Sequence, residues 1–249
     1  MNLFDLTGKV GIVTGGNGGI GLGMARGLAA AGASLVLSGR NPAKGAAAAA
    51  ELDCAFIAAD VTRKEECQAL VRETVAKFGR LDILVNNAGT SIRKQPEDYE
   101  EHEWHHVLDA NLTSAFLCSQ AAHAEMRRAG GGKIINIGSM MSVFGAPYAA
   151  PYAASKGGMV QLTKALATAW AKDNIQVNAV LPGWIDTELT TRARAQVEGL
   201  HEQVLARTPA GRWGVPDDLS GIAVFLATRA SDFVTGTAIA CDGGYSARG

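Results

Sequence analysis

The chain has 249 residues, 47% hydrophobic and 19% charged, with a formal net charge of −1 and a pI near 6.5. That length suggests one or two domains and can bury a full core without metals or disulfides. Near-neutral charge removes the electrostatic basis of non-specific nucleic-acid binding and of a polybasic membrane footprint. No apolar run approaches the ~20 residues of a spanning helix. The opening Met1-Asn2-Leu3-Phe4-Asp5-Leu6 lacks the basic start and apolar stretch of a secretion signal, so a soluble cytoplasmic protein is expected. Cys54, Cys67, Cys118 and Cys241 are scattered, with no CxxC and no Cys/His pairing at metal spacing. They are expected to be reduced and mostly buried.

Strand and helix signals alternate along the chain. Lys9 to Thr14 is a β-branched run ending in glycines and reads as a buried strand. A helix follows from Gly19 to Ala31, then a strand at Leu35 to Leu37 and an alanine-rich helix from Ala43 to Leu52. Cys54 to Ala58 is a third strand, Lys64 to Phe78 a helix, and Leu81 to Val85 a fourth strand running into Asn86-Asn87-Ala88-Gly89. Glu100 to Arg128 reads as helical with a break near Asn111, followed by a strand from Lys133 to Ile137. A helix from Tyr152 to Lys172, a strand from Ile175 to Leu181, a helix from Pro216 to Leu226 and a strand from Thr237 to Ala240 complete the pattern. Strands separated by helices require right-handed crossovers and a parallel sheet covered on both faces. The expected fold is therefore α/β, a doubly wound sheet whose ligand sits beyond the carboxyl ends of the strands. One connection, Trp184 to Trp213, runs for about thirty residues and reads as a functional segment with short helices of its own.

The first strand and helix are joined by Thr14-Gly15-Gly16-Asn17-Gly18-Gly19-Ile20-Gly21. Glycines there permit a tight turn and bring backbone N–H groups to a pyrophosphate at the helix N-terminus. A dinucleotide site also expects a carboxylate about 20 residues on, to bind the ribose 2′-hydroxyl. This chain has Ser38-Gly39-Arg40-Asn41 instead. A carboxylate would repel a 2′-phosphate, whereas an arginine clamps one, with Ser38 and Asn41 as neutral donors. The absent acid points to NADP, with NAD as the alternative.

Tyr152-Ala153-Ala154-Ser155-Lys156 places a phenol and an ammonium one helical turn apart on one face. A free tyrosine titrates near pH 10 and needs nearby positive charge to act as a base at neutrality. Ser139, at the end of the fifth strand, is placed to donate to the same substrate oxygen. His102, His105 and His106 have a helical spacing that can bind zinc. No fourth ligand is evident, so an exposed helix face and no metal are expected. Trp170 is read as core or subunit interface.

With TGxxxGxG, Asn86-Asn87-Ala88-Gly89, Ser139 and Tyr152/Lys156 in order at matching positions, nearly the whole chain resembles the short-chain dehydrogenase/reductase family. The resemblance implies a single Rossmann-type NAD(P)-binding domain over residues 1–249, a parallel sheet of about seven strands, and an embedded substrate-binding lid at 184–213. It implies that Ser139 orients a carbonyl, Tyr152 exchanges the hydroxyl proton, and Lys156 lowers the tyrosine's pKa and grips the nicotinamide ribose. Asn111 matches the asparagine that holds a water in a relay to the lysine. Asp60-Val61 resembles the pair contacting adenine, and Asn87, Ala88 and Gly89 the cofactor-lining run. Pro182-Gly183-Trp184-Ile185-Asp186-Thr187 resembles the segment that meets the carboxamide. Gly15, Asn17, Gly19, Ile20 and Gly21 complete the expected cofactor set. The family's NADP users often carry arginine or lysine within the glycine turn, where this chain has Gly18.

Ser91-Ile92-Arg93-Lys94 and Pro209-Ala210-Gly211-Arg212-Trp213-Gly214 resemble the sugar-acid branch, which includes gluconate 5-dehydrogenase and 2-deoxy-gluconate 3-dehydrogenase types. Arg93, Lys94, Arg192 and Arg194 are candidate cations for a substrate carboxylate, and Trp184 a candidate wall. The alternative within the family is a 3-oxoacyl thioester reductase acting on an acyl-carrier protein. The alternative outside catalysis is a nucleotide-binding sensor on the same fold. A homotetramer packed through the helices containing Asn111 and Tyr152 is implied as well.

Overall fold

Thr14 pairs in register with Ser38 on one side and Asn86 on the other, in a computed structural model that describes residues 2–248. Met1 and Gly249, the ends of the expected domain, lie outside the described residues. The strands are β1 (Val10–Thr14), β2 (Ser34–Gly39), β3 (Ala55–Ala58), β4 (Ile83–Asn86), β5 (Gly132–Ile137), β6 (Ile175–Pro182) and β7 (Ala238–Cys241). They form one seven-stranded sheet of order β3-β2-β1-β4-β5-β6-β7, every pairing parallel. The order reverses between β1 and β4, which opens the ligand crevice of doubly wound sheets at the carboxyl ends of those strands.

The helices are α1 (Gly19–Ala30), α2 (Pro42–Glu51), α3 (Lys64–Phe78), α4 (Glu101–Leu108), α5 (Ser114–Arg128), α6 (Ala150–Trp170), α7 (Glu188–Gln196), α8 (Leu200–Arg207) and α9 (Ser220–Ala227). Successive strand residues face opposite sides, so the sheet has two cores. Val13, Leu35, Leu37 and Val85 pack against Met24 and Leu28 of α1 and Ala223 and Leu226 of α9. Ile12, Val36, Leu84 and Ile134 pack against Cys67 and Leu70 of α3, Ala122 and Met126 of α5, and Leu166 of α6.

Local chemistry sets the element ends. Asn41 caps α2 by accepting from the Lys44 amide at 3.0 Å. α3 stops at Gly79, which takes the left-handed conformation at φ +78°. The expected break near Asn111 is a π turn, Asp109–Thr113, between α4 and α5. The helix expected from Pro216 begins instead as a 3₁₀ turn, Pro216–Leu219, before α9. The long connection contains α7 and α8 with a small core of their own, in which Ala193, Leu200, Val204 and Trp213 pack together.

At the amino ends of the strands Asp82 anchors β1 to β4. Its carboxylate accepts from the Val10 amide at 3.0 Å, from Lys9 at 2.9 Å, and from Arg80 through two bonds at 2.8 and 2.6 Å. Cys67 and Cys118 are buried with their sulfurs 3.5 Å apart, and all four cysteines are free thiols.

Candidate active site

The glycine turn leaves β1 through Gly15 at φ +62°, a left-handed conformation that disfavours any side chain. At Gly21 a Cβ would stand 2.4 Å from Asn87 Nδ2 and 2.5 Å from the Gly15 oxygen. Asn87 donates from that nitrogen to the carbonyls of Thr14 and Gly15 at 3.0 and 3.1 Å. The Thr14 hydroxyl accepts from the amides of Asn87 and Ala88. Gly21 therefore packs beneath the turn, while Gly15, Asn17, Gly19, Ile20, Asn87, Ala88 and Gly89 line the cleft.

That cleft, of about 310 Å³, is also lined by Ser139, Tyr152, Lys156, Pro182, Gly183, Ile185 and Thr187. Beyond it lies a cavity of about 750 Å³ lined by Ser38, Arg40, Asn41, Asp60 and Val61. Gly15, Asn17, Ala88 and Gly89 border both spaces. Together they make an elongated site of the shape a dinucleotide requires. Ser38 Oγ is fully buried there without a hydrogen-bond partner among the described residues, and a buried hydroxyl left unpaired calls for a ligand or water. Burial works against ionisation of Asp60, but hydrogen bonds from Thr62 and the charge of Arg40 hold its carboxyl below the usual range.

Tyr152 and Lys156 lie on α6, whose first turn faces the end of β5. Lys156 is buried and donates to the Ile137 carbonyl at 2.6 Å, with its nitrogen 5.7 Å from the centroid of the Tyr152 ring. Burial lowers the Lys156 pKa to about 8. Ser139 follows β5, accepts from the Met141 amide at 3.1 Å and hydrogen-bonds the Tyr152 phenol. In the protein itself, burial raises the phenol's pKa, opposed by the Ser139 bond and the charge of Arg93. Among the chain's own groups burial is the largest influence on the phenol, and the facing charge is that of Arg93.

Asn111, fully buried in the π turn, donates to the Thr90 carbonyl at 3.0 Å and to Ser155 Oγ at 2.9 Å. Its oxygen accepts from the Thr90 amide at 2.7 Å. Both amide hydrogens are thus committed to holding the loop after β4 against α6.

A cavity of about 80 Å³ opens on the other side of Tyr152, lined by Arg93, Trp184, Met140, Met141, Tyr148 and Leu189. Arg93 is partly buried, which depresses its pKa, and donates to Gln196 of α7 at 3.2 Å. Two expected substrate residues do not line this cavity. Lys94 is drawn away by Glu103 at 2.7 Å, and Arg192 pairs with Glu188 on the exposed surface of α7. Arg194 pairs with Asp186 and stacks 4.5 Å from Trp213. His102 and His105 lie beside Glu100 and Glu101 on an exposed face, and Trp170 packs against His123 at 4.7 Å. The sequence reading missed Lys44, Glu188, Thr90, Leu189 and Thr190 in the main cleft and His106 in the larger cavity. Thr90 follows the Asn86–Gly89 run directly and was within reach of that signal.

A profile of the family described as enoyl-(acyl carrier protein) reductase matches residues 15–246. The chain is 44% identical to a 2-dehydro-3-deoxy-D-gluconate 5-dehydrogenase of Escherichia coli strain K12, covering 100% of this chain and 99% of that protein. It is 40% identical to a gluconate 5-dehydrogenase of Gluconobacter oxydans, over 98% and 97% of the two chains. Among solved structures, the gluconate 5-dehydrogenase of Burkholderia cenocepacia in complex with NADP and tartrate superposes with a TM-score of 0.94 at 41% identity, over 99% and 98% of the chains. Sequence, sheet order and site geometry agree: the chain belongs to the short-chain dehydrogenase/reductase family.

Proposed function

We propose that the protein is an NADP(H)-dependent oxidoreductase that interconverts a secondary alcohol and a ketone on a small sugar acid, with Tyr152 as the acid/base. One observation carries the reading. Ser139 and Tyr152 line both the cleft at the glycine turn and the cavity of Arg93 and Trp184, so the phenol forms the wall between them. A group placed there reaches a cofactor on one side and a substrate oxygen on the other.

The residues present fit a nicotinamide dinucleotide. The glycine turn, Asn17, Ile20 and the Asn87–Gly89 loop would hold the diphosphate half. Ser38, with its unpaired hydroxyl, Arg40, Asn41, Asp60 and Val61 would hold the adenosine half. Lys156, Pro182, Gly183, Ile185 and Thr187 would hold the nicotinamide end. NADP is favoured over NAD because Arg40 stands where a ribose-binding carboxylate would, and a solved relative binds NADP. When bound, the cofactor supplies or accepts the hydride.

The chain's own residues handle oxygen and proton. Ser139 donates to the substrate oxygen, and Tyr152 takes the hydroxyl proton in oxidation and returns it in reduction. Lys156, one turn further on α6, stabilises phenolate when charged, and Asn111 holds the Thr90 loop in place. Arg93 faces the phenol from the substrate side and supplies a cation for the carboxylate of a sugar acid. Residues 184–213, with their own core, form the substrate-binding lid. The sugar-acid reading is supported by relatives named for gluconate and 2-dehydro-3-deoxy-D-gluconate.

The tetramer implied by the family is supported by exposed Trp104 on α4 and Phe116 on α5. Light scattering should then give four times the 25.9 kDa chain mass. The test of function is turnover with NADP⁺ and NAD⁺ against gluconate, deoxygluconates and neutral sugars, and with NADPH and NADH against a β-ketoacyl thioester. Sugar acids with NADP⁺ should turn over fastest; preference for the thioester would replace the substrate assignment.

A further inference from the structure

Lys44, on the first turn of α2, lines both the cleft at the glycine turn and the larger cavity beyond β2. Glu188, the first residue of α7, lines the same two spaces, and the two side chains meet as an ion pair at 2.8 Å. Gly18 leaves room for this. A Cβ there would stand 3.2 Å from Lys44 Cε and 3.4 Å from its nitrogen, so a side chain at that position would crowd the ammonium. The pair is 49% and 64% exposed, and such pairs contribute about 0–1 kcal/mol to folding. It joins distant elements yet is cheap to exchange for another anion.

The surroundings define that anion. Arg40 lines the same cavity, beside the unpaired hydroxyl of Ser38. The acidic groups there are Asp60, whose Oδ1 accepts from the amide and hydroxyl of Thr62, and Glu188, occupied by Lys44 and Arg192. Two cations and a free hydroxyl around one space match a compact phosphomonoester, with arginine as the planar fork and lysine as a point charge.

Building on the NADP(H) reading above, we propose that Lys44 is a specificity-determining residue that binds the 2′-phosphate of the cofactor together with Arg40, and that Glu188 competes with the phosphate for it. Binding exchanges Glu188 for phosphate on the ammonium and frees the first residue of α7. The two partners therefore have opposite effects on affinity, although either substitution breaks the same ion pair.

The test is fluorescence titration of NADPH and NADH into the full-length protein and into Lys44→Ala, Glu188→Gln and the double variant, with melting curves confirming folding. Lys44→Ala should weaken NADPH roughly tenfold, one charge-assisted contact, and leave NADH within twofold. Glu188→Gln should tighten NADPH two- to threefold, and that gain should vanish in the Lys44→Ala background. Weakening by both substitutions, or equal losses for NADPH and NADH, would overturn the assignment and leave the pair a structural bridge. A wild-type protein that binds NADH as tightly as NADPH would instead remove the NADP(H) reading itself.

Discussion

Arg93 and Tyr152 face each other across the small cavity, and the arginine's charge favours the phenolate while burial of the phenol opposes it. The same guanidinium is itself partly desolvated, its pKa depressed by burial and supported by the phenol. In the proposed function, substrate recognition and proton transfer would be coupled through this one side chain.

Removing that charge should act on both. Arg93→Ala takes away a cation that lowers the Tyr152 pKa, so the tyrosine titrates higher. Alcohol oxidation needs the phenolate, so the acid limb of its pH–rate profile should move to higher pH. The KM for a sugar acid should rise roughly tenfold, the loss of one ionic contact, while a neutral polyol should change little. Steady-state kinetics from pH 6 to 10 with both substrates measure this; an unmoved limb would separate Arg93 from the phenol.

Arg40 is exposed at the end of β2 and borders the larger cavity. Arg40→Ala should weaken NADPH by roughly tenfold and leave NADH nearly unaffected. Fluorescence titration of both nucleotides checks it, and equal losses would remove the phosphate argument.

Asn111 connects Thr90 to Ser155 through both its amide hydrogens. Asn111→Ala removes three hydrogen bonds, leaves the partly buried Thr90 amide unpaired, and should cost about 2 kcal/mol of stability. The loosened loop should raise the cofactor Kd as well. A melting curve together with a titration tests the pair of effects.

Asp82 is held below its ordinary pKa: burial opposes ionisation, but Arg80, Lys9 and the Val10 amide outweigh it. A depressed carboxylate stabilises the fold above its unfolded value, near 3.9, and that contribution disappears as pH falls through the folded value. Asp82→Asn should destabilise the protein by about 2 kcal/mol at pH 7, with the difference shrinking toward pH 3. Denaturant titrations at both pH values follow it; a gap that stays constant would mean the charge is not responsible.

The parts of this site that are local in the chain could be read in advance. Tyr152 and Lys156 share a helix face by spacing alone, Ser139 follows a strand, and the glycine turn joins β1 to α1. The break near Asn111 was expected at the right place, though not as a π turn. The failures involve which partner each charged side chain takes. Lys94 turns to Glu103 and Arg192 to Glu188, so neither reaches the substrate cavity. Lys44, on an alanine-rich helix, enters the cofactor cleft only because α2 and α7 flank the same opening. The phenol's raised pKa was likewise hidden, because desolvation depends on packing that spacing does not express.

The most direct measurement is Tyr152→Phe, assayed for turnover and, by calorimetry, for NADPH binding. Loss of only the hydroxyl should reduce kcat roughly 10³- to 10⁴-fold, a general acid–base contribution, with the NADPH Kd within about twofold of wild type. Turnover that persists at the wild-type rate in a variant that still binds NADPH would contradict the account, since the proton would then pass through another group.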